Sequence, residues 1–228
     1  SEGLKIPVFA NFRDLGSHLN LTNSTNGSTL TNRMQAAIRM LKHLMWMPIS
    51  ILEKEHIVRS NILPLALYGC ESTHVNTSVF QQLRSHICKV IGPNSSKSSN
   101  DITFEFITSS VDLDPQAHIL YLRVAGLRRI IAKHKGYQNI VSGIIVDYLS
   151  HPQTLEHVQG PVGYLIQSIN AHGYSIGGDF VIHKSKEPRI DLLDMPWQHL
   201  KKAMFGINAR SRLDKFNKDR TYMGYLPE

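Results

Sequence analysis

Apolar side chains recur along most of this chain at helical spacing. From about Thr31 to Met45, Met34, Ile38, Leu41 and Met45 form one stripe, with Gln35, Arg39, Lys42 and His43 on the other side. Ser50 is placed to cap a second helix in which Ile51, Val58, Ile62 and Leu65 share a face. Pro64 lacks a backbone donor and should kink or end it. A third helix, from about Val75 to Ile91, aligns Val79, Leu83, Ile87 and Val90 and stops at Gly92-Pro93. Asp114-Pro115 opens a long helix reaching about Lys135, with Ile119, Leu122 and Ile130 available for packing. Residues 137–150 and 161–172 predict two more helices, separated by His151-Pro152 and Gly160-Pro161. Ile176, Phe180, Ile182 and Ile190 then alternate around Gly177-Gly178 and Pro188, which predicts a small β-ribbon. Asp194 and Pro196 start a last helix with Trp197, Leu200, Met204 and Ile207 on one side.

The chain ends and joints follow from composition. Residues 5–9 and 11–16 are short apolar pieces broken by Pro7 and Gly16, which read as strand, turn and strand. Asn, Ser, Thr and Gly fill most of 20–31 and mark an exposed loop, while 93–101 carry no apolar side chain and read as a linker. The expected fold class is therefore mainly α. A short β element (1–21) precedes a helical bundle (29–92), the linker (93–101) and a smaller, basic helical region holding the β-ribbon (102–228). No apolar run approaches the ~18–20 residues of a membrane span, and the N-terminus lacks a signal-peptide pattern. An intracellular protein with no membrane partner is expected.

Charge changes this picture. The 228 residues hold 25 Lys and Arg against 18 Asp and Glu, giving +7 and a sequence pI near 9.4, a field that attracts polyanions. Its distribution matters more than its sum. The first helix has no acidic residue, the third carries only Arg84 and Lys89, and the long helix holds Arg123, Arg128, Arg129, Lys133 and Lys135 with no acid. The tail sets Lys201, Lys202, Arg210, Arg212, Lys215, Lys218 and Arg220 against Asp214 and Asp219. Any one cation is well explained as a solvated helix face. Acid-free helices in succession point the group towards nucleic acid, with Arg13, Arg33, Arg39, Lys42, Arg84, Lys89, Arg123, Arg128 and Arg129 as candidate contacts. Tyr121, Tyr137, Tyr222 and Tyr225 are available for base stacking or for half-buried packing.

Other chemistry finds little footing. Cys70 and Cys88, the only cysteines, fit a reducing compartment. Cys70 and His74 stand four apart and His86 and Cys88 two apart, but residues two apart on a helix point in nearly opposite directions, so no metal site is expected. The Asn-x-Ser/Thr triplets at Asn20, Asn23, Asn26, Asn76 and Asn94 read as polar loops. A Walker loop, a dinucleotide fingerprint and a Gly-x-Ser-x-Gly elbow are all missing from the sequence. No two aspartates are adjacent; Asp112 and Asp114 come nearest, and with Pro115 they read as the approach and N-cap of the long helix.

Phe12-Arg-Asp-Leu-Gly16, a polar gap, the helix with Arg33, then Ile62-Leu-Pro-Leu-Ala-Leu-Tyr-Gly-Cys-Glu71 and Leu83-Arg84 occur in a telling order. The set resembles the end of a reverse transcriptase from a non-LTR retrotransposon: a primer-grip turn, here Leu15-Gly16, followed by a helical thumb. Leu63-Pro64-x-x-Leu67-Tyr68-Gly69-x-Glu71 is its most specific part, and Asp14 stands where the family often has an aromatic residue. The match covers about residues 4–91. Gly160-Pro-Val-Gly-Tyr-Leu, Ile190-Asp-Leu-Leu and Arg212 to Arg220 are similar, with weaker motifs, to the connecting region after such a thumb. The resemblance implies a non-catalytic fragment of an RNA-directed DNA polymerase that grips RNA or an RNA–DNA duplex, with palm and fingers preceding Ser1. Magnesium would belong to the missing palm, and this chain would hold no cofactor. A helical protein-interaction module, docking through Ile51, Val58, Leu83 and Ile87, is the alternative.

Overall fold

The computed structural model describes residues 11–14, 17–20, 28–93, 99–108, 113–134, 136–151, 160–185 and 187–218, with the backbone alone at 11–14, 17–20 and 217–218. It is mainly α. Strands β1 (Asn11–Asp14) and β2 (Ser17–Asn20) pair antiparallel, Phe12 opposite Leu19 and Arg13 opposite His18. A β element lies within 1–21 as expected, but its pair is 11–14 with 17–20 rather than 5–9 with 11–16; residues 5–9, Leu15 and Gly16 lie outside the described residues.

Helix α1 (Ser28–Met45) starts inside the segment read as loop. Leu30, Met34, Ala37, Ile38, Leu41 and Leu44 are buried, the expected stripe widened by one column, and pack against α3 and α4. Ser50 begins α2 (Ile51–Ile57) in a reciprocal capping box: its hydroxyl accepts from the Glu53 amide, and the Glu53 carboxylate accepts from the Ser50 amide at 2.8 Å. The chain does not stop at Pro64. A π turn, Val58–Ile62, passes directly into α3 (Leu63–Leu67), and the Leu63 amide donates to the Val58 carbonyl five residues back. The expected face is corrected in part: Val58 and Ile62 are buried, whereas Ile51, ahead of the π turn, and Leu65, beyond it, are 57% and 43% exposed.

Asn76 caps α4 (Thr77–Ile91), close to the expected start at about Val75, its side-chain oxygen accepting from the Val79 amide at 3.0 Å. Of the expected linker, 94–98 lie outside the described residues. Asn100 already belongs to a short helix, α5 (Asn100–Ile102), which runs into a second π turn, Thr103–Ile107. Gly92 permits that approach, since a Cβ there would sit 2.8 Å from Thr103 Cγ2. Asp114 caps α6 (Pro115–Lys133) as expected, its carboxylate accepting from the Gln116 amide at 3.0 Å, and Ile130 is 45% exposed rather than packed.

Helices α7 (Gly136–Ser150) and α8 (Pro161–Ala171) follow. The ribbon is three-stranded and antiparallel, β3 (Ser175–Ile176), β4 (Val181–His183) and β5 (Ile190–Asp191), in the order β3-β4-β5. It meets α7 where Ser142 donates to the Gly178 carbonyl at 2.7 Å, a contact with no room for a side chain at 178. Helix α9 (Trp197–Lys218) closes the described chain.

Two hydrophobic clusters fill the interior. The first joins α1 through α4 with Phe104, Leu113 and Ile119. The second joins Leu120, Val124, Leu127 and Ile131 of α6 with α7, α8, the ribbon and α9. Helix α6 belongs to both. The first core thus draws on residues past 93–101, and the expected boundary does not separate independent cores. None of the helices among the described residues is long and apolar enough to cross a membrane.

Candidate nucleic-acid interface

The outer side of α1 is the clearest basic surface. Counting in helical steps, Gln35, Arg39, Lys42 and His43 stack on one face opposite the buried stripe, and all four are exposed. Trp46, in the turn after the helix, extends the row four residues beyond Lys42 and is 80% exposed. Helix α1 holds no acidic residue, so no carboxylate of its own interrupts this face. Lys89 is exposed on α4, Lys133 and Arg129 are exposed on α6, and the Arg129 Nε–H donates to the Ala125 carbonyl at 3.2 Å.

Other candidates turn inward. Arg33 donates to the Tyr68 carbonyl at 2.8 Å and lies 4.8 Å from the Tyr68 ring centre, holding the Leu-Tyr-Gly stretch against α1. Arg128 donates to the Met195 carbonyl and lies 4.6 Å from the Trp197 ring centre, so it fastens the start of α9. The side chain of Arg13 lies outside the described residues.

Arg84 and Arg123 are corrections to the expected surface, because both are buried. Arg84 Nη2 donates to Asp101 at 2.7 Å, and its Nε and Nη2 both donate to Asp114 at 3.2 Å. Arg212, read from sequence as part of a basic tail, reaches the same carboxylate through Nη1 at 2.6 Å and grips Glu105 through Nε and Nη2. Asn208 adds a bond to Asp114 at 2.8 Å. Burial opposes ionisation of Asp114, but the two guanidiniums, the Asn208 amide and the Gln116 amide outweigh it and hold the carboxyl below its usual range. The same attractions raise the Arg84 guanidinium despite its own burial. These side chains form an internal ionic joint between α4, α6 and α9. They are not presented to a phosphate backbone.

Arg123 is buried as well, donating to the carbonyls of Cys70, Tyr164 and Thr73 and to the Ser168 hydroxyl. In the tail, Arg210 pairs with Glu187 at 2.9 Å, and Lys184 bridges Glu187 and Asp214. Lys202 and Lys215 remain exposed, while Arg220, Tyr222 and Tyr225 lie outside the described residues. Tyr121 is half-buried near Phe205, with ring centres 6.4 Å apart, and Tyr137 is exposed beside His134.

Burial pushes the Cys70 and Cys88 thiols up to about 12, which makes both poor nucleophiles and poor metal ligands. Among the described residues, no three His, Cys, Asp or Glu side chains converge to hold a metal, and Asp112 lies outside them. Asp114, with its oxygens taken by arginines and amides, does not fit the part of a magnesium ligand.

Sequence reasoning missed two features. One is the exposed apolar group at the α1–α2 turn, where Trp46, Met47 and Leu52 join Ile51, the one member named from sequence. The other is the ionic joint, whose partners lie too far apart in sequence to leave a local signal. No family model, no curated protein and no solved structure matches this chain.

Proposed function

We propose that this chain is the thumb and connecting part of an RNA-directed DNA polymerase of the non-LTR type. In this reading it binds RNA–DNA duplex through the outer face of α1 and supplies no catalytic group. The observation that carries the reading is the acid-free row Gln35, Arg39, Lys42 and His43, solvent-exposed along a helix whose other side is rigidly packed. A polyanion needs cations at a fixed spacing on a stiff support, and each phosphate neutralised releases counterions. Trp46 at the end of the row offers a flat apolar surface to a sugar or an unpaired base. The ordered sequence motifs supply the polymerase part of the proposal.

Titrating the purified chain with RNA–DNA duplex at rising ionic strength tests it. Affinity should fall steeply with salt, by a log–log slope of about −0.9 per phosphate contacted. The pair Arg39→Glu and Lys42→Glu should weaken binding by about tenfold or more and flatten the slope by about two contacts, with an unchanged circular dichroism spectrum. Duplex binding that ignores salt, or is untouched by the double reversal, removes the reading.

The exposed group Trp46, Met47, Ile51 and Leu52 favours a second reading, a protein-docking module. Of the residues expected to dock only Ile51 belongs to this group, since Val58, Leu83 and Ile87 are consumed by the protein's own core. Absence of any duplex binding at low salt would favour it.

A further inference from the structure

Apart from the α1 face, a cavity of about 270 Å³ opens between α4, α6 and α8. Val75, Phe80, Ile119 and Ala171 give it apolar walls, and Gln116 and Gln167 give it polar ones. Arg123 and His172 line it as well, and among the described residues lining it none is acidic.

Arg123 is the unusual member. It is 8% exposed, and each of its acceptors is neutral: three carbonyls and a hydroxyl. Burial opposes its charge and Glu71 attracts it through space, and its field adds to burial in holding the His74 imidazole below its usual range. A guanidinium carries five N–H donors, and these four bonds leave one Nη2 N–H over. The surroundings are firm. Ser168 takes a bond from Arg123 and gives one to the Tyr164 carbonyl at 2.9 Å. The His172 ring bridges the Ser168 carbonyl and Asn208 Oδ1 at 2.6 and 3.0 Å. A buried cation whose hydrogen-bond acceptors are all neutral is rare because desolvation is costly, and an anion entering the cavity would give it a charged acceptor in direct contact.

We propose that this cavity binds a small oxyanion, a carboxylate or a phosphate monoester on a compact apolar body, with Arg123 as its counterion. The apolar walls select against a free inorganic ion. The volume matches about nine waters, enough for one ring and its head group.

The test follows the methyl resonances of Val75, Ile119 and Ala171 by NMR while the whole chain is titrated with phenyl phosphate, benzoate or benzyl alcohol at matched ionic strength. Saturable shifts are expected with an anion at a Kd of about 1 mM or below, and binding about tenfold weaker with benzyl alcohol. Comparing the two anions identifies the head group. Arg123→Gln also removes a clamp on Cys70 and Tyr164, so the deciding variant is Ala171→Trp, which fills the mouth from an exposed position and should abolish the shifts. Shifts that fail to saturate with either anion, equal binding of benzyl alcohol, or full binding by Ala171→Trp would each overturn the proposal.

Discussion

Asp114 caps α6 and neutralises two arginines with the same carboxylate. Its folded-state pKa is depressed, so its contribution to stability is complete above the unfolded value of ~3.9 and is lost as pH falls through the folded value. Urea unfolding followed by circular dichroism from about pH 6 down to about pH 2 should show that acid limb. Asp114→Asn should remove its share of the limb and cost about 3–5 kcal/mol at neutral pH, because Arg84 and Arg212 then stay buried short of a counter-charge. An unchanged limb would mean the joint contributes nothing measurable. The same residues show why half of the candidate site was legible in the sequence. Arg39 and Lys42 declare themselves by spacing alone, opposite a dense apolar stripe. Arg84 sits on an acid-free helix too, but its carboxylates lie 17 and 30 residues away, and those of Arg212 lie 107 and 98 away. A cation with distant partners looks like a solvated one until the chain is folded.

Helix boundaries were readable where a local side chain creates them. Ser50 and Asp114 were read in this way, whereas Asn76 was read only as polar loop and does the same work: its oxygen satisfies one of the orphan amides at the start of α4, and α4 carries Phe80, Leu83, Ile87 and Ile91 into the first core. Asn76→Ala should therefore cost about 1 kcal/mol, or roughly 2–4 °C in thermal midpoint, while Asn76→Ser stays near the parent value. Equal loss in both variants would assign the effect to something other than the cap. Of the two effects expected of Pro64, a kink or an end, the end is absent for an instructive reason. Proline has no N–H and its ring crowds the carbonyl four residues back, which normally ends a helix. Here the preceding turn takes in an extra residue, the Leu63 amide reaches Val58, and the helical path continues past the proline. One extra residue turns everything after it by ~100°, so Leu65 faces solvent while Ala66 and Leu67 enter the core. Periodicity counted at 3.6 residues per turn has no means of registering that step. On α7 the difficulty differs: Tyr137, Ile140 and Ile144 are as apolar as the buried Val141, Ile145 and Tyr148, so the pattern predicts the helix and leaves its inward face undefined.

At the scale of the whole molecule, composition suggested a break at 93–101, and the packing denies that the two sides are self-sufficient. Phe104, Leu113 and Ile119 are each buried at 6% exposure or less within the first cluster, though all three follow the break. The long α6 gives Ile119 and Leu122 to one core and Leu120, Val124, Leu127 and Ile131 to the other, and Arg123 on that helix reaches back to Cys70 and Thr73 and forward to Tyr164. Removing everything after residue 98 would strip the first core of three large side chains and leave Arg84 buried without Asp101 or Asp114. Each loss alone is worth a few kcal/mol, and a domain has only about 5–15 kcal/mol to lose. A chain of residues 1–98 should accordingly show no cooperative thermal transition by circular dichroism, whereas 1–228 should lose its helical signal in one step. A sharp, reversible transition in the short chain would restore the linker to the role its composition indicates and would make the ionic joint a contact between two domains already formed.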